Sequence, residues 1–168
     1  LRVNKIPTTL SNFVVPAKTY GSAAFTITPP TTNSDGTFTY TSSNAAVATI
    51  VGNTVTIVGM GSSTITAVNV TSARYASATI TAPFVVNKGT AALTNFSVPA
   101  KSFGDASFEI TPPISNSDGA FTYISSNTAV ATIAGNVVTI VGIGSSTFTA
   151  SQAATTLFLA TTTTTSFV

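Results

Sequence analysis

Phe38-Thr39-Tyr40-Thr41-Ser42-Ser43-Asn44 and, two alanines later, Val47-Ala48-Thr49-Ile50-Val51-Gly52-Asn53-Thr54-Val55-Thr56-Ile57 set apolar and hydroxyl side chains in alternation. A side-chain period of two belongs to β-strands with one buried face, and no helical face of period 3.6 survives in either run. Gly52-Asn53 between Val51 and Thr54 is turn chemistry, so the second run reads as a hairpin.

Outward from this stretch the pattern continues. Strands are expected over Thr9 to Val14, Ala24 to Thr28, Phe38 to Ser42, Ala46 to Val51, Thr54 to Val58, Ser62 to Val70 and Thr79 to Val86. Each is rich in Val, Ile, Thr, Phe or Tyr, the types that fit a pleated, half-buried surface. Pro29-Pro30, Asp35-Gly36, Gly52-Asn53 and Gly59-Met60-Gly61 separate them, and Asp35-Gly36 reads as a hairpin turn. Seven short strands with such turns predict two antiparallel sheets packed face to face. The expected core is Phe25, Ile27, Phe38, Tyr40, Val47, Ile50, Val55, Ile57, Ile65, Ala67, Ile80 and Phe84.

The whole pattern occurs twice. Comparing each residue with the one 83 positions later gives 49 identities in 85 pairs, with no insertion or deletion. Such self-similarity is the signature of tandem duplication. The fold class is therefore all-β, two tandem immunoglobulin-like β-sandwiches of about seven strands each, with a preceding segment at 1–5, one domain at 6–87 and a second at 88–168. Every expected core position stays apolar in the second copy except Thr163, which replaces Ile80. Leu1 falls in phase with Phe84 and Phe167, and Val3-Asn4-Lys5 recurs as Val86-Asn87-Lys88. That phasing predicts an excerpt from a longer array, with neighbouring modules of the same chain as partners.

Composition removes several function classes. Charged residues make up 6% of the chain, against about 25% in an ordinary soluble domain, while 34 Thr and 20 Ser supply hydroxyls to wet the surface. The pI near 9.2 rests on Arg2, Lys5, Lys18, Arg74, Lys88 and Lys101 set against Asp35, Asp105, Glu109 and Asp118. Charge spread so thinly makes no phosphate-tracking stripe, and no nucleic-acid partner is expected. Mean hydropathy is positive at +0.45, yet the apolar residues come in strand-sized bursts far short of a bilayer span. No membrane insertion is expected.

Reactive side chains are scarce. The chain has no His and no Cys, which excludes Ser-His or Cys-His nucleophilic catalysis and N- or S-ligated metal sites. A glycosidase needs two carboxyl groups in one cleft, and the first copy holds only Asp35. Calcium wants six to eight oxygens, several from carboxylates. Asp105 and Glu109 lie close together, but Ser22 and Thr26 stand in their places in the first copy. The expectation is no enzyme, no metal and no cofactor. Recurrent Thr-X-Thr steps such as Thr54 and Thr56 read as the outward half of each strand, since a flat Thr array would need a much shorter repeat.

Tyr40-Thr-Ser-Ser-Asn44, Val47-Ala-Thr-Ile50, Gly52-Asn53, Val55-Thr-Ile57 and Gly61 through Thr64-Ile-Thr-Ala67, repeated from Tyr123 to Ala150, resemble the group 2 bacterial immunoglobulin-like family. Two details differ: Tyr40 and Tyr123 stand where the family usually has a Trp-like aromatic, and the Gly-Asn turn is tighter. Modules of this family occur in bacterial adhesins of the invasin and intimin type, in phage tail and capsid proteins and in large DNA viruses. The resemblance implies a non-catalytic display, spacing or attachment role on a cell or virion surface, and no catalytic residue.

Three candidate features remain outside the repeat. The copies diverge most at 68–78 against 151–161, where Arg74-Tyr75 faces Leu157-Phe158. Variable loops on a fixed scaffold are where binding sits, so Arg74 and Tyr75 are the candidate contacts for a host-surface glycan or protein receptor. Asn69-Val70-Thr71 and Asn95-Phe96-Ser97 match the N-glycosylation sequon, making Asn69 and Asn95 candidate acceptors. The scarcity of charge to guard sheet edges motivates a third expectation, self-association into a filament or lattice.

Overall fold

A computed structural model describes residues 4–168. The phase of Leu1 and the segment read at 1–5 therefore lie largely outside the described residues. No described residue is helical, and no helix is long and apolar enough to cross a membrane. The chain divides into two compact units, the first running to Lys88 and the second from Gly89 to Val168.

The first unit contains β1 (Leu10–Ser11), β2 (Lys18–Thr19), β3 (Phe25–Thr26), β4 (Thr31–Thr32), β5 (Phe38–Ser42), β6 (Ala48–Val51), β7 (Thr54–Ile57), β8 (Gly61–Asn69) and β9 (Ala78–Asn87). One sheet has the order β2-β9-β8-β5 and the other β3-β7-β6, with β1 and β4 forming a small ladder. All pairs are antiparallel except β2 with β9, which set Lys18 beside Val86 and Thr19 beside Asn87 in parallel. The sandwich expected from the sequence is present. All twelve expected core residues belong to or pack against one cluster, joined by Phe13, Val15, Ala48, Ala82, Val86 and Tyr20.

Local chemistry explains where strands stop. Thr9 to Val14 shrinks to β1 because Asn12 adopts φ 57°, a left-handed conformation that Asn tolerates better than most residues. Gly52 has φ 62° as the first central residue between paired Val51 and Thr54, where a two-residue hairpin favours glycine. Pro83 sits inside β9 opposite Thr64. Thr64 turns its N–H to Ser43 Oγ and its C=O to the Ser43 N–H, so this pairing asks no bond of the proline.

Asp35-Gly36 corrects the sequence reading. The flanking strands pair elsewhere, β4 with β1 and β5 with β8, so the dipeptide closes no hairpin. Gly36 lies instead beneath the end of β8, where a Cβ would run into the Val70 carbonyl oxygen and sit 2.8 Å from Asn69 Oδ1. Close approach of two backbones, rather than a positive φ, is what calls for glycine there.

The second unit contains β10 (Gly89–Thr90), β11 (Leu93–Thr94), β12 (Phe108–Glu109), β13 (Ile114–Ser115), β14 (Phe121–Ser125), β15 (Ala131–Ala134), β16 (Val137–Ile140), β17 (Ser146–Gln152), β18 (Phe158–Leu159) and β19 (Thr161–Phe167). Its sheets are β14-β17-β19 and β12-β16-β15, with small ladders β11-β13 and β10-β18. Ile110, Val130, Ala131, Val138, Phe148 and Phe167 form the core. Phe148 stacks on Phe167 at 4.9 Å. Thr163, the polar exception, is only partly buried on β19, which lets its hydroxyl avoid the cost of full desolvation.

Candidate functional site

The Ser-Ser-Asn signature closes a corner. Ser63 Oγ, 6% exposed, lies 2.8 Å from Ser42 Oγ and 3.4 Å from Ser43 Oγ, and accepts from the Asn44 N–H at 3.2 Å. Asn44 Oδ1 accepts from the Ala46 N–H, and Asn44 Nδ2 donates to the Ser62 carbonyl. The cluster turns the chain from β5 into β6 without leaving its buried polar groups unpaired. Ser125, Ser126, Asn127 and Ser146 build the same corner in the second unit.

A buried amide clamps each unit from the other end. Asn69, 0% exposed, donates from Nδ2 to the Gly36 carbonyl at 2.8 Å. Gln152, in its place in the second unit, donates from Nε2 to the Gly119 and Ser117 carbonyls at 2.9 and 3.0 Å. Its Oε1 accepts from Ser115 Oγ at 2.7 Å. Asn69, the first sequon candidate, thus has its Nδ2 buried and already bonded. Asn95 is exposed with φ 58°. It matches Asn12 at the same left-handed position, so the backbone accounts for an asparagine in both copies whether or not a sequon follows.

Tyr40 and Tyr123 are stacked rather than displayed. Tyr40 lies between Phe13 and Phe38, with centroids 6.3 and 6.0 Å away, and Tyr123 sits likewise between Phe96 and Phe121. Both hydroxyls are buried and find no hydrogen-bond partner among the described residues. Burial raises both phenol pKa values above the ordinary range. Removing an unsatisfied hydroxyl also removes its desolvation cost. Tyr40→Phe and Tyr123→Phe are therefore expected to leave stability unchanged or raise it by up to about 1 kcal/mol, measured by urea unfolding. A loss of that size would mean that the hydroxyl holds an ordered water.

Arg74 and Tyr75 stand on a pinned loop. The Ile6 N–H donates to the Arg74 carbonyl at 2.8 Å and the Ala76 N–H to the Ile6 carbonyl at 2.9 Å, while Ser72 Oγ accepts from the Arg74 and Tyr75 N–H groups. The Arg74 side chain is exposed and Tyr75 half-buried. Asn4, Lys5, Ile6, Ala73 and Arg74 line a shallow cleft of about 280 Å³. Lys5 Nζ spends two bonds on Thr71 Oγ1 and the Ser72 carbonyl. In the second unit the same backbone arrangement carries Leu157 and a buried Phe158, with the Gly89 N–H bonded to the Leu157 carbonyl. The cationic cleft thus belongs to the first unit.

The remaining acids serve turns or face solvent. Asp105 Oδ2 accepts from the Ser102 N–H at 2.9 Å, taking over the turn that Thr19 and Ser22 hydroxyls close in the first unit. Glu109 is exposed on β12. Among the described residues no three His, Cys, Asp or Glu side chains gather as a metal set.

No family model matches the chain, and no curated protein matches it. Solved structures do. The chain is similar to the EC1-4 region of Drosophila N-cadherin at 13% identity and a TM-score of 0.39, over 97% of this chain and 49% of that one. It is similar to human protocadherin-24 EC1-2 at 13% identity and a TM-score of 0.37, over 95% and 97% of the two chains. A third structure is a SusE-like surface located polysaccharide binding protein from Bacteroides thetaiotaomicron, at 13% identity and a TM-score of 0.34, over 95% and 34%. The chain spans about half the length of the N-cadherin structure.

Proposed function

We propose that the chain is a non-catalytic structural module of an extracellular, cell-surface or virion-surface protein, acting as a spacer or attachment stalk. Its tandem units are of the group 2 bacterial immunoglobulin-like type. One observation carries this reading: the Ser-Ser-Asn signature that both copies share, with its serine partner on β8 or β17, is consumed inside each unit. Ser42, Ser43, Asn44 and Ser63 bond one another and the adjacent backbone, as do Ser125, Ser126, Asn127 and Ser146. A duplicated active or binding site would instead leave the shared polar groups free to meet a ligand. Only Lys88 separates the end of β9 from the start of β10.

Single-molecule pulling tests the spacer role. The chain is expected to yield in two separate events, each releasing roughly 250–300 Å for a repeat of 83 residues at about 3.3–3.6 Å per extended residue. One unresolved event, or extension without a force peak, would argue against independent load-bearing units.

A second reading, a glycan- or receptor-binding adhesin, is favoured by the exposed Arg74 beside Lys5 on a loop that the backbone holds in place. It predicts that the chain binds acidic glycans on an array and that Arg74→Ala weakens binding at least about tenfold, as loss of a charge-assisted contact should. A blank array would leave the spacer reading standing.

A further inference from the structure

Asp35-Gly36 and Asp118-Gly119 close no hairpin, since the strands around each pair elsewhere, yet both bring one reaction within reach. The amide nitrogen that follows an aspartate lies a single ring closure away from the side-chain carboxyl carbon. Glycine hinders that closure least, because it has no Cβ and leaves the backbone free to turn. These are the only Asp-Gly steps in the sequence; Asp105 precedes Ala106, and its Oδ2 is held by the Ser102 N–H. Asp35 and Asp118 are exposed in loops outside any strand, so water reaches both carboxyl groups.

The two loops are gripped differently. Asn69 Nδ2 holds the Gly36 carbonyl at 2.8 Å, on one side of Asp35, and Asn69 Oδ1 has no partner among the described residues. Gln152 Nε2 holds the Ser117 carbonyl at 3.0 Å as well as the Gly119 carbonyl at 2.9 Å, which brackets Asp118. Ser115 Oγ anchors the other end of that amide at 2.7 Å. Otherwise the loops correspond: the Gly36 N–H donates to Ser34 Oγ at 3.1 Å, and the Gly119 N–H to Ser117 Oγ at 3.4 Å. Ring closure rotates the peptide between aspartate and glycine. That motion breaks the glycine N–H bond in either unit and pulls against every carbonyl the amide holds, so it requires a local opening.

We propose that Asp35 and Asp118 are sites of spontaneous isomerisation to isoaspartate, and that the buried amide at each loop sets the rate, so that Asp35 converts faster. The glycine nitrogen attacks the aspartate Cγ, and an N–Cγ bond forms. One carboxyl oxygen leaves as water, taking the carboxyl proton and the amide proton. Water then opens the five-membered succinimide at the main-chain carbonyl, which breaks the original peptide bond and leaves the chain running through Cγ. The water lost is regained, and no oxidant or further reactant enters. The product's main chain is one carbon longer just before Gly36, where even an added Cβ would run into the Val70 carbonyl oxygen. Isomerisation therefore drives Gly36 from beneath β8 and frees Asn69, loosening the unit in which it occurs. This holds whether the module serves as a spacer or as an adhesin.

The test keeps the full chain folded in warm neutral buffer beside Gln152→Asn, which gives the second unit the shorter amide that the first already uses. Isoaspartate at each site is followed by peptide mapping with electron-transfer fragmentation, and circular dichroism checks that the variant is folded. In the parent, Asp35 is expected to convert at least about fivefold faster than Asp118, the factor that one net hydrogen bond carries. In guanidinium the two rates should be equal, since both sites read Asn-Ser-Asp-Gly. Gln152→Asn should bring Asp118 up to the rate of Asp35. If that variant does not fold, Ser115→Ala, which removes the anchor of the amide, is read in the same way. Equal rates at the two sites of the folded parent, or an Asp118 rate that the variant leaves unchanged, would overturn the proposal. So would a folded chain that forms no isoaspartate over a period in which the unfolded chain does.

Discussion

Phe84→Ala is expected to destabilise the first unit by about 3–5 kcal/mol while the second keeps its own unfolding transition. Phe84 is fully buried in β9, opposite Ser63 of β8, with its ring 5.7 Å from that of Phe25. Truncation deletes an aromatic ring from the centre of the sandwich and leaves a cavity that paired strands on either side cannot close. Phe→Ala in such a site costs about 3–5 kcal/mol. A domain of this size has only about 4–12 kcal/mol in total, so the change removes a large share of it. The units have separate buried clusters, which is why the loss should stay local. Urea unfolding followed by amide exchange of residues in both units would check this. One shared, lowered transition would mean that the units fold as a single cooperative block.

The sequence carried the sandwich because its residues obey one period over long runs. Between Tyr40 and Ala67 alternating runs are separated only by short turns, and there strands and core residues coincide with what alternation predicts. The misses have local causes. β2, β4 and β18 are two-residue ladders whose pairing is decided by distant partners, so no local pattern announces them. Asn12 breaks β1 through its backbone, a conformation that the apolar pattern of Thr9 to Val14 hides. Asn69 and Gln152 looked like divergent loop residues, yet each clamps a glycine carbonyl from a buried position. A signal existed: an amide replaced an amide while Asn-Ser-Asp-Gly stayed intact in both copies. Arg74-Tyr75 was legible as divergence, but the backbone bridge to Ile6 that pins it was not.

Gly36→Ala is expected to cost the first unit about 3 kcal/mol or more, the upper range for overpacking, although glycine-to-alanine is usually among the mildest changes in a loop. The reason is contact rather than conformation. Gly36 lies outside the left-handed region, and its added methyl would meet the Val70 carbonyl oxygen and Asn69 Oδ1. Neither can yield easily, since the Val70 N–H is held by the Thr37 carbonyl and Asn69 Nδ2 by the Gly36 carbonyl itself. Relieving the clash would push Asn69 off its bond and leave a buried amide unpaired, adding a desolvation cost to the steric one. Gly52→Ala supplies the contrast: it has φ 62° and open space around the added Cβ, so only backbone strain of about 1–2 kcal/mol opposes it. The ordering, Gly36→Ala worse than Gly52→Ala, should hold again for Gly119→Ala against Gly135→Ala. The added Cβ at Gly119 meets the Ala153 carbonyl oxygen, and that at Gly135 meets nothing. If Gly36→Ala and Gly52→Ala lost equal stability in urea unfolding, the close packing of 36 against the end of β8 would not be what the glycine is for.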